Sequence, residues 1–84
     1  MTVQTQNNLL AKLSNISKGL IEEYNKYTDG ASEDRKRSLN KIKSTYNELK
    51  SFIAKATAKT PETHFDGDIA LLETQLKQHK EKYN

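Results

Sequence analysis

The chain has 84 residues, 33% hydrophobic and 30% charged, with a net charge of +3 and no cysteine. That length supports one domain with a thin core, and the missing thiols exclude disulfide scaffolds, thiolate metal sites and cysteine catalysis. No apolar run approaches the roughly 18 residues of a membrane span, and the polar segment 1–8 lacks the basic and hydrophobic regions of a secretory signal. A soluble, cytoplasmic protein is therefore expected.

Three stretches carry the same apolar spacing. In the first, Leu9, Leu13, Ile16, Leu20 and Tyr27 lie on one face of a helix expected from about Gln6 to Thr28. Asp29-Gly30 should end it, because glycine reaches the left-handed conformation without a Cβ clash. Ser32 is a good N-cap for the second helix, with Glu33 and Asp34 favouring the dipole in the first turn. That helix should run to about Ala58, with its seam at Leu39, Ile42, Tyr46, Leu49, Ile53 and Ala56. Thr60-Pro61-Glu62 reads as the next helix start. The third helix then runs from about 61 to 83, or from Asp68 if Asp66-Gly67-Asp68 breaks the first turn. Phe65, Ile69, Leu72, Leu76, His79 and Tyr83 form its seam.

Antiparallel packing aligns these seams. Leu9 faces Ile53, Leu13 faces Leu49, and Leu20 faces Ile42; the third helix then sets Phe65 against Ile53, Ile69 against Leu49 and His79 against Leu39. Both midpoints fall at the expected turns. The predicted fold is all-α, an antiparallel up-down-up three-helix bundle with a heptad pattern. The alternative is a helical hairpin dimerising into a four-helix bundle. A monomer or weak homodimer is expected.

Charges suggest how the helices neighbour one another. Lys36, Lys43 and Lys50 sit seven apart on helix 2. The expectation places Lys50 near Asp66 and Lys43 near Glu73. Leu10, Tyr24 and Phe52 flank the seam and should widen the buried face, whereas Ile21 and Leu71 point further out.

No constellation points to catalysis. Neither histidine has a recognisable nucleophile beside it, and the expected fold has no strand to carry a phosphate-binding loop. His79 falls on the seam near one end, where a hydrogen-bonded structural histidine is expected. His64-Phe65-Asp66-Gly67-Asp68 lacks both the ligand spacing of a calcium loop and the ligand number of a zinc site. No catalytic residue, metal or cofactor is assigned.

The sharpest local signal is basic. Residues 32–60 hold eight basic and three acidic side chains, and Arg35, Lys36, Arg37, Lys41 and Lys43 cluster at the start of helix 2. Cations there oppose the helix dipole. They form either a solvated face or a phosphate-binding patch. The favoured reading is a small non-enzymatic module that binds another protein, as an adaptor, inhibitor, chaperone-like protein or assembly subunit would. Its contact residues are Ile21, Tyr24 and Leu71. The size and missing cysteines would suit a bacterial or phage accessory protein. The alternative is a nucleic-acid-binding regulator using the basic cluster.

Overall fold

The computed structural model describes residues 2–27 and 32–83. Helices α1 (Val3–Asn25), α2 (Glu33–Lys55) and α3 (Glu62–Tyr83) each pack against the other two. The result is an all-α three-helix bundle, a rod of 46 × 17 × 17 Å. Among the described residues there is no strand, and no helix is long and apolar enough to cross a membrane.

Local chemistry sets the helix ends. The Thr2 side chain accepts a hydrogen bond from the Thr5 amide at 3.2 Å, so α1 begins before its first seam residue and ahead of the expected Gln6. It also stops earlier, at Asn25, where the amides of Lys26 and Tyr27 turn back onto the carbonyls of Glu23 and Tyr24. The expected Asp29-Gly30 turn lies outside the described residues. Ser32 caps α2 by accepting from the Arg35 amide at 3.2 Å. That helix ends at Lys55, short of the expected Ala58, because Ala56 is extended. Of the two starts considered for α3, the structure takes the earlier one. Asp66-Gly67-Asp68 continues the helix unbroken.

The seams meet in one continuous core. Leu9, Ile53 and Phe65 are buried towards one end, and Leu20, Ile42 and Leu76 towards the other. Cross-helix hydrogen bonds follow the register read from the sequence. Gln6 Nε2 donates to the Ile53 carbonyl at 2.8 Å, and Tyr24 OH donates to Asn40 Oδ1 at 2.9 Å.

The expected charge pairs do not form. Asp66 pairs with Lys12 of α1 at 2.9 Å. Lys43 lies 5.1 Å from the Tyr24 ring centroid, and Lys50 lines the α1/α2 groove with Ser17 and Ile21. Lys43 and Lys50 of α2 thus face α1, not α3. Heptad phase fixes which residues face the axis but not which neighbour lies on which side. A close approach between α1 and α3 accompanies this arrangement. A Cβ built on Gly19 would lie 2.7 Å from Leu76 Cδ2.

The two helical glycines are therefore unequal. A Cβ at Gly67 meets nothing within 4 Å. Gly67→Ala should stabilise by about 0.5–1 kcal/mol through reduced unfolded-state entropy. Gly19→Ala should forfeit that gain, because Leu76 must shift within a packed core. Urea midpoints of the two variants should therefore move apart.

Candidate functional site

Beyond the last apolar layer, the bundle buries a polar one. Glu23 of α1 and His79 of α3 occupy the same level as Leu39 of α2, and they are 0% and 2% exposed. Arg35 sits one turn before Leu39, and its side chain is only 16% exposed. Its Nη2 lies 3.2 Å from Glu23 Oε2, and Lys26 Nζ approaches Oε1 at 3.4 Å. The Arg35 guanidinium also lies 5.2 Å from the Tyr27 ring centroid and 6.0 Å from that of Tyr83. Tyr27 OH donates to the Arg35 carbonyl at 2.7 Å. A buried carboxylate is thereby neutralised by a guanidinium that two aromatic rings hold in place.

His79 completes this layer. Its Nδ1 lies 3.0 Å from Ser38 Oγ, and its Nε2 faces Glu23 Oε2 at 3.5 Å. The tautomer that suits both neighbours carries its proton on Nε2 and accepts from the Ser38 hydroxyl. Burial pushes the His79 pKa below its ordinary 6.5; nearby Glu23 raises it, and Arg35 and Lys82 lower it further. Desolvation prevails because Arg35 already balances the carboxylate.

This shift fixes the sign of a pH effect. Below pH 6.5 the unfolded chain takes up a proton that folded His79 resists, so stability should fall on acidification until the folded-state pKa is passed. Chemical denaturation at about pH 7.5 and pH 5.5, around the free imidazole value, should show this loss. His79→Gln should flatten it. Stability rising towards the acid side would contradict this account.

Ser38, His79 and Glu23 stand in the order nucleophile, base, acid. Two features set this row apart from a working triad. Arg35 already holds the carboxylate, and Ser38 lies within α2, whose backbone N–H groups are used by the helix and cannot converge as an oxyanion hole. The row is hydrogen-bonded only between Ser38 and His79; His79 Nε2 faces Glu23 without a hydrogen bond. Among the described residues, no group of three or more His, Cys, Asp or Glu side chains could hold a metal ion. His64 is exposed and faces Asp68 at 3.5 Å.

The basic cluster separates once folded. Arg35 turns into the bundle, where its side chain is 16% exposed and paired with Glu23. Lys36 pairs with Glu33 at 3.5 Å and Arg37 with Asp34 at 3.8 Å. Lys43 lies over Tyr24 in the α1/α2 groove. Lys41 lines the α2/α3 groove and makes no ion pair or ring contact among the described residues.

The three expected contact residues are divided too. Ile21, 56% exposed, and partly buried Tyr24 border the α1/α2 groove. Leu71, 54% exposed, lies on the α2/α3 groove with Phe52, which is 67% exposed. Leu10 and Tyr24 do widen the core. Phe52 does not, because Leu49 and Ile53 already fill the axis beside it. Phe52 and Leu71 thus bring two exposed apolar side chains from different helices to one groove. Comparison with protein-family models, with curated proteins and with solved structures finds no match.

Proposed function

We propose that the chain is a small non-enzymatic module that binds another protein along the groove between α2 and α3. The observation that carries this is the placement of Phe52 and Leu71. They come from different helices, are each more than half exposed, and line one depression outside a core that is already filled. Scattered exposed apolar residues are ordinary on a soluble protein. An aromatic and a leucine brought to one groove form a compact anchor of the type that dominates binding energy.

A nucleic-acid reading has less support. It relied on five cations acting together, but Arg35 is committed to Glu23 and the other four divide between faces.

Phe52→Asp and Leu71→Asp should leave helicity and melting close to wild type, since neither side chain is part of the core. Both should abolish capture of the protein partner that the wild-type chain retains from its native host. Loss of that partner in Ile21→Asp alone would move the contact to the α1/α2 groove. Capture abolished by nuclease would overturn the protein-binding reading.

A further inference from the structure

The α2/α3 groove has two unlike halves. Depressions of about 210 and 300 Å³ lie end to end along it. Ser38, Thr45 and Phe52 recur at sevens on α2, and Asp68, Gln75 and Lys82 do so on α3, so both depressions belong to one track. The first half holds Phe52 and Leu71, with Glu48 and Asp68 on its rim. The second is walled by Ser38 and Lys41 from α2, and by Gln75, Gln78 and Lys82 from α3.

That second half is built to receive negative charge. Two ammonium groups, one from each wall, border it, and among the described residues no carboxylate lines it. Lys41 has no ion-pair partner among the described residues, and Lys82 lies against the Tyr83 ring at 5.1 Å. Gln75 Oε1 is buried without a hydrogen-bond partner, so this wall also holds a polar group that the fold leaves unpaired. The cations stand on opposite walls, one on α2 and one on α3. Such spacing suits several carboxylates carried on one segment.

We infer that the partner presents an amphipathic helix whose apolar residues cover Phe52 and Leu71 and whose acidic residues, further along, meet Lys41 and Lys82. This inference rests on the protein-binding reading above and adds the partner's chemistry to it. A helix is favoured because the groove walls are themselves helices. Their backbone groups are already bonded, so an extended strand would find no edge to pair with, whereas side-chain ridges accept a further helix. From Phe52 to Ser38 is about four helical turns, or roughly 21 Å, so a segment of about fifteen residues spans both halves.

The test uses a fluorescein-labelled amphipathic peptide of about fifteen residues, with leucines in its first two turns and glutamates in its last two. A second peptide carries lysines in place of the glutamates. Anisotropy titrations use the full chain and the Lys41→Glu/Lys82→Glu variant, whose folds are compared by circular dichroism. The glutamate peptide should bind the wild-type chain and weaken roughly tenfold or more on the variant. The lysine peptide should show the reverse preference. Equal affinity for both peptides, or no loss on charge reversal while Phe52→Asp still abolishes binding, would overturn the acidic-partner inference and leave the groove as a protein site. Failure of both peptides to bind would overturn the inference too, while the host-partner capture above tests the module reading separately. Displacement of the glutamate peptide by duplex DNA at physiological salt would assign the cations to nucleic acid and also overturn it.

Discussion

Arg35→Met should destabilise the bundle by about 3–5 kcal/mol, because it leaves a buried carboxylate without its guanidinium. Glu23 is 0% exposed and cannot turn to solvent without opening the end of the bundle. Lys26 reaches the same carboxylate at 3.4 Å, but its side chain is 48% exposed and its charge remains largely in water. His79 cannot take over readily, since its own burial resists protonation. The double replacement Glu23→Leu/Arg35→Met should recover most of the loss, as an apolar pair carries no desolvation penalty. A double-mutant cycle in urea would show this as a large coupling between the two positions. A loss under about 1 kcal/mol, the value of an exposed ion pair, would mean that Arg35 is no more than a surface partner. The same reasoning affects any test of the basic cluster. Reversing Arg35 would unfold the bundle end, whereas Arg37→Glu alters a solvated side chain that is 78% exposed.

The seam was legible because burial along a helix follows a period that the sequence states openly. Every seam position read from Leu39 to Ile53 is buried, and so is every one from Phe65 to Leu76. The polar layer was written in the same period but in unexpected letters. Glu23 fills the seam step left without an apolar residue between Leu20 and Tyr27, and Arg35 stands seven before Ile42. Reading the period without regard to residue type would have placed both charges inside, Glu23 at the level of His79 and Arg35 one turn beyond it. Which neighbour lies on which side of α2 was not legible. It depends on side contacts such as Lys12 with Asp66 and Gly19 beneath Leu76, and equally good lysine–carboxylate pairs could be drawn for the other hand. Phe52 was misjudged because flanking positions are buried only where the axis leaves room for them.

Leu72→Ala and Leu71→Ala join fold to function in two adjacent residues of one type. Leu72 is 0% exposed on the α3 seam, so truncation removes contacts and leaves a cavity costing about 2–5 kcal/mol. In a domain of this size each kcal/mol lowers the melting temperature by about 4–8 °C, so a fall of roughly 10 °C or more is expected. Leu71 is 54% exposed and outside the core, and its truncation should change stability by less than about 0.5 kcal/mol. In partner capture, Leu71→Ala should weaken the complex while the chain melts as wild type does, because the removed methyl groups face the groove. Leu72→Ala should lose binding only in step with the folded fraction. Thermal melts and capture at a temperature where both variants are folded would separate the two effects. Equal melting losses for the pair would place Leu71 in the core and deprive the α2/α3 groove of half of its apolar anchor.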